Sequence, residues 1–174
     1  MLRMVLICLV FICSEAIAGP PKEKFLCRKG EQVVFGCNLG RKVLALCAAS
    51  GPSSMSPMNF QYRFGTPSRL ELQFPDTPSP AKDHFWSSST AYSGGGAAHI
   101  RFANADYEYV LFDSVVRTNF GKSRRHNPKF DAGLLILHQG KTVSLRHCTN
   151  DASIHAVAHD QIPPEEYWYY DEIP

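Results

Sequence analysis

Apolar and polar side chains alternate with a period of two through most of this 174-residue chain, and two is the repeat of an extended strand. Across residues 59–64, Phe60, Tyr62 and Phe64 fall on one face and Asn59, Gln61 and Arg63 on the other. Leu70, Leu72 and Phe74 alternate with Arg69, Glu71 and Gln73, and Ala98, Ile100 and Phe102 alternate with His99 and Arg101. Val33, Phe35, Cys37 and Leu39 share a face, and a turn at Gly40-Arg41 leads into residues 43–48. Asn104-Ala105-Asp106 turns the chain into residues 107–113, and Gln139-Gly140 separates 134–138 from 141–147 as a hairpin. Seven or eight short strands result. Connections this short cannot carry the crossover that parallel pairing needs, so neighbours pair antiparallel. The expected fold is all-β, a single antiparallel β-sandwich or curled barrel. Residues 75–81, which hold three prolines, and the basic stretch 117–129 read as loops.

The ends divide the chain. Arg3, the apolar run 4–13 and Ala16-Ile17-Ala18 follow the order of a secretory signal peptide: positive start, apolar core, small-x-small cleavage site. The run is shorter than the roughly 20 apolar residues that span a bilayer. The expectation is a periplasmic or secreted protein cleaved after Ala18, with a β domain over 19–148 and a tail over 149–174. Beyond Ala18 the cysteines are Cys27, Cys37, Cys47 and Cys148. In an oxidising compartment four cysteines form two disulfides, in one of three connectivities. A bond through Cys148 would close the longest loop and constrain the unfolded chain most.

Charge separates the same two parts. Residues 19–148 hold 17 basic and 9 acidic residues, a formal excess of +8. The tail holds Asp151, Asp160, Glu165, Glu166, Asp171 and Glu172, no Lys or Arg, and the run Tyr167-Trp168-Tyr169-Tyr170. Such a tail is expected to be flexible or loosely docked, and its charge suits it to the basic body of the same or another chain. Lys122, Arg124, Arg125 and His126 are too few for a nucleic-acid surface, and no nucleic acid is expected as partner.

Catalytic patterns are missing where the chain offers the right residue types. Tyr92-Ser93-Gly94-Gly95-Gly96-Ala97 places three glycines between strands, where they permit positive φ and close backbone approach. No Lys-Ser or Lys-Thr follows, as a phosphate-binding loop requires, and Ser93 is not in a Gly-x-Ser-x-Gly elbow. His155 and His159 stand four apart with Asp151 four before, so on a helix the three would share a face. Ala156 occupies the place of the metalloprotease Glu. No catalytic residue, metal or cofactor is expected. The remaining candidate is a contact surface of Tyr92, Ser93, Gly94, Gly95, Gly96 and Ala97, flanked by His99 and Arg101 on the outward strand face, with unpaired glycine amides at its tip.

Cys37 and Cys47, Tyr62-Arg63-Phe64-Gly65, the glycine segment, Tyr107-Glu108-Tyr109-Val110 and Cys148 together resemble a group of small exported proteobacterial β proteins, mostly uncharacterised, over about residues 30–148. The glycine segment is similar to the Ser-Gly loop of periplasmic lysozyme inhibitors. The C-type pattern Ser-Gly-x-Gly-Ala-x-Tyr is met at Ser93, Gly94, Gly96 and Ala97, with His99 in place of Tyr. The I-type pattern Ser-Gly-x-x-Tyr is met at Ser93 and Gly94, with Ala97 in place of Tyr. The resemblance implies a protein partner, a lysozyme, whose catalytic carboxylates Ser93 would meet. The other expectation is an envelope or secreted interaction protein, an immunity or virulence-associated module, that uses its aromatic face and tail.

Overall fold

A computed structural model describes residues 25–51, 56–118 and 127–173. The signal-peptide reading of 1–18 and the cluster Lys122, Arg124, Arg125 and His126 lie outside the described residues. The fold is an all-β sandwich, with nine strands among the described residues: β1 Gln32–Leu39, β2 Lys42–Ala49, β3 Asn59–Thr66, β4 Arg69–Pro80, β5 Trp86–Tyr92, β6 Gly95–Asn104, β7 Tyr107–Thr118, β8 Asn127–His138 and β9 Lys141–His147. They form two antiparallel sheets in sequence order, β1-β2-β3-β4 and β5-β6-β7-β8-β9. The alternating faces meet as the period of two requires. Phe35, Leu44, Leu46, Phe60 and Tyr62 of the first sheet pack on Ile100, Phe102, Leu111 and Leu134 of the second. The Tyr62 and Phe102 rings lie 4.9 Å apart across the interface. Among the described residues no helix is long and apolar enough to cross a membrane.

Several details depart from the simple alternation. Between Val33 and Phe35 the β1–β2 register shifts. This bulge breaks the shared face: Val33 packs outward with Cys27, Ala45 and Cys47, while Phe35 faces the main core. The proline-rich stretch expected as a loop belongs to β4, with Phe60 opposite Ser79 and Tyr62 opposite Phe74. Residues 75–78 bulge out between those pairs, and an edge strand tolerates prolines because its outer side needs no N–H partner. The stretch expected as a second loop is strand up to Thr118 and again from Asn127. Asp151, His155 and His159 share no helix face, because α1 is only Val157–Gln161.

On each sheet a segment outside the strands packs against part of the outer face. On the first sheet, Cys27 bonds to Cys47 of β2. Arg63, 2% exposed, donates to both carboxylate oxygens of Glu31, at 2.5 and 2.8 Å, and to the Leu26 carbonyl at 2.9 Å. The outward residue Arg63 is thus buried beneath the segment that precedes β1. Cys37 of β1 bonds to Cys148 just after β9, spanning 111 residues and joining the two sheets.

Residues 149–173, expected to be flexible or loosely docked, run along the sandwich in defined contact. The Thr149 amide donates to Asn38 and the His155 amide to Val34, both carbonyls of edge strand β1. The Asn150 side chain accepts from the Asn38 amide and donates to Gly36, filling the ladder between them. Ala158 and Ile162 enter the main core. The chain then joins the other sheet's edge: the Ser87 amide of β5 donates to Pro163, and the Glu165 amide donates to Ser87. Finally Tyr170 and Ile173 cover Val110, Phe112, Leu135 and Leu137 on the outer face of the second sheet. Two strand edges that would otherwise template association are closed in this way.

Candidate functional site

The glycine segment forms the tight β5–β6 hairpin. Tyr92 pairs with Gly95, which leaves Ser93-Gly94 as a two-residue turn, and Gly94 sits at φ +85°. The glycine amides expected to be unpaired are divided. Gly95 and Gly96 lie in the ladder, Gly96 opposite both Ala91 and Val115, and only Ser93 and Gly94 form the tip. A Cβ on Gly95 would stand 1.9 Å from the Val115 carbonyl oxygen, so this glycine admits the neighbouring strand. Tyr92, Ser93 and Gly94 are exposed, Gly95 and Gly96 half-buried, and Ala97 buried. The Tyr92 hydroxyl donates to the Gly96 carbonyl at 3.0 Å, which holds its ring against the turn.

His99 and Arg101, expected on an exposed face, do point away from the core, but the tail covers them. His99 is 2% exposed. The Tyr167 ring stacks on it at 4.7 Å, and the Tyr167 hydroxyl hydrogen-bonds its Nε2 at 3.2 Å. Arg101 donates to Glu165 through Nε and Nη2 and to Glu108 through Nη1, and its guanidinium lies over the Trp86 ring. These bonds to Glu165, outweighing partial burial, raise the Arg101 pKa and fix its charge. The Tyr170 hydroxyl completes the cluster by donating to Glu108 at 3.2 Å. The predicted residues therefore separate into an exposed tip and a buried anchor for the tail.

The anchor brings in residues that the alternation did not single out. Burial, with the Tyr92 and Tyr169 hydroxyls, pushes the Tyr167 pKa up to about 12, so this ring stays neutral. Its neighbours in sequence face outward: Trp168 is 58% and Tyr169 81% exposed. The Tyr169 ring meets the Tyr167 ring edge-on at 5.0 Å. Tyr92 is exposed beside the tip, and Trp168 and Tyr169 are exposed on the docked segment together with Glu166, Asp171 and Glu172. The arrangement offers rigid aromatic contact area beside acidic charge, the chemistry of a protein-contact surface. Among the described residues, the single group with metal-ligand geometry is Cys27, Glu31 and Cys47, and it is a disulfide beside an arginine-paired carboxylate.

No protein-family model, curated protein or solved structure matches this chain.

Proposed function

We propose that this protein is an exported binding protein rather than an enzyme, and that it engages a protein partner through the Ser93-Gly94 turn and the aromatic segment packed beside it. The observation that carries this reading is the tip itself: an exposed two-residue turn, backed by two paired strands and flanked by Tyr92, with Tyr167 docked on His99 further along the same hairpin. A turn of this kind enters a cleft without first having to be ordered, which spares the loop-ordering part of the entropy cost of association. The two disulfides accord with an oxidising compartment.

The partner class is a basic lysozyme-type muramidase. Ser93 supplies a hydroxyl toward the carboxylates of a glycosidase cleft, and Glu166, Asp171 and Glu172 supply negative charge that offsets the basic body. The test is a cell-wall lysis assay against C-type, G-type and I-type lysozymes, comparing the wild type with Ser93→Ala/Tyr92→Ala. Inhibition of one class, weakened at least tenfold by the double substitution, supports the reading. No inhibition of any class removes it.

A second reading is favoured by the exposure of Trp168 and Tyr169: an envelope or secreted interaction protein, an immunity or virulence-associated module, that holds its partner without inhibiting an enzyme. Capture from envelope extract that Trp168→Ala/Tyr169→Ala abolishes and Ser93→Ala spares selects this reading over the first.

A further inference from the structure

We propose that a cleft on the far edge of the second sheet from the Ser93-Gly94 turn binds a single-chain anionic amphiphile, an aliphatic chain ending in a carboxylate. The cleft measures about 400 Å³, within the range of small-molecule sites. Leu39, Phe64, Leu134 and Ile136 form its walls, drawn from both sheets, and Lys42, Ser144 and Arg146 its rim.

The register explains this composition. On β9, Ser144 stands opposite Ile136 and Arg146 opposite Leu134, so both polar residues share the face that β8 turns toward the core. Leu134 belongs to that core, and Leu39, Phe64 and Ile136 pack against it while remaining half-buried. The cleft floor is therefore an opening of the main core. Of its two cations, Lys42 is engaged by Glu71. Among the described residues Arg146 is in no ion pair. A guanidinium without a carboxylate beside an apolar trough is complementary to an acyl chain with a carboxylate head, which its planar fork grips in two places.

The test uses the full chain and dodecanoate below its micelle concentration, followed by amide and methyl NMR shifts. Dodecyl maltoside and dodecyltrimethylammonium serve as neutral and cationic controls. The expected result is shifts centred on Leu39, Phe64, Leu134 and Ile136. Affinity should fall about fourfold for each methylene removed, the transfer value for one buried CH₂, and the cationic control should bind at least tenfold more weakly. Arg146→Gln should weaken dodecanoate about tenfold and leave the maltoside unchanged. The chain-length and headgroup series in the wild type carries the same test without a substitution. Shifts centred elsewhere, equal binding of the cation, or saturation of the cleft by self-association would overturn the proposal.

Discussion

Arg101 grips Glu165 with a two-point fork, Nε to Oε1 at 2.9 Å and Nη2 to Oε2 at 2.5 Å, and so fixes the C-terminal segment to β6, one strand in from the edge of its sheet. The first sheet repeats the device. Arg63 grips Glu31 in the same two-point manner and fixes the segment that precedes β1. Each sheet thus spends one outward arginine on holding a segment that lies outside its own strands.

Releasing the C-terminal fork should loosen the tail locally. Glu165→Ala leaves the Arg101 charge half-buried with Glu108 alone and removes charge-assisted bonds worth about 1.5–3 kcal/mol before solvent screening. Amide hydrogen exchange of residues 165–173 should accelerate at least tenfold while the amides of β2 and β3 stay protected. Uniform acceleration across the sandwich would mean the segment is part of one cooperative unit. Deleting residues 149–174, the experiment that their charge suggests, is not a clean alternative, since Ala158 and Ile162 are core residues.

The N-terminal fork is a pH-dependent one. Burial works to raise the Glu31 pKa, but hydrogen bonds from Arg63 and the Arg28 amide, with the guanidinium charges, hold it below the usual carboxylate value. A depressed carboxylate contributes stability above its unfolded pKa and loses it as pH falls through the folded value. Glu31→Gln should therefore cost about 3 kcal/mol at pH 7, the scale for breaking a buried pair. The difference from wild type should shrink in acid. Urea unfolding at pH 7 and pH 3 reads both numbers.

Asp113 has the opposite sign. Burial raises its pKa, and the Asp151 charge adds to that, against the Ile154 amide that donates to it at 3.0 Å. A raised carboxylate favours the folded state at low pH and loses that advantage as pH rises through the folded value. Asp113→Asn keeps an acceptor for the Ile154 amide and removes the charge. It should match the wild type in acid and exceed it at neutral pH, as measured by the denaturation midpoint at each pH.

The two disulfides should differ in weight. The Cys27–Cys47 bond spans 20 residues and the Cys37–Cys148 bond 111. Loop-closure entropy assigns about 3 kcal/mol to a loop near the shorter length and about 4.7 kcal/mol near the longer. Cys37→Ala/Cys148→Ala should lower unfolding stability more than Cys27→Ala/Cys47→Ala, and equal losses would assign the effect to packing.

At the hairpin, fold and contact can be separated. Gly95→Ala forces a methyl against the Val115 carbonyl and should cost about 1–3 kcal/mol, the range for overpacking. Ser93→Ala changes an exposed turn residue and should stay within about 0.5 kcal/mol of wild type. Thermal unfolding of the two variants makes the comparison, and it directs partner-binding tests to Ser93 and Tyr92.

The strands that β3 and the centre of β6 form were legible because Phe60 and Tyr62, and Ile100 and Phe102, alternate with polar neighbours. Strand β5 was not, because Trp86-Ser87-Ser88-Ser89-Thr90 carries hardly any apolar pattern. Its Ser87 is buried because the tail lies there, and its hydroxyl donates to the Ile162 carbonyl at 3.1 Å. Period-two reading also cannot say what covers an outward face. His99 reads as solvated until Tyr167 is placed over it, and a tail with Tyr167, Tyr170 and Ile173 shows a buried side only against the sheet it meets. The tip at Ser93-Gly94 was visible from its glycines, whereas the docking of Tyr167 on His99 depends on a contact between distant parts of the chain.

The closure of β1 and β5 by residues 149–165 sets an order of events during synthesis. Every strand is made before the stretch that shields its edge. Until that stretch arrives, the nascent chain presents two open hydrogen-bonding ladders to its surroundings, so a ribosome that stalls late would release a sticky fragment rather than a slightly shortened protein.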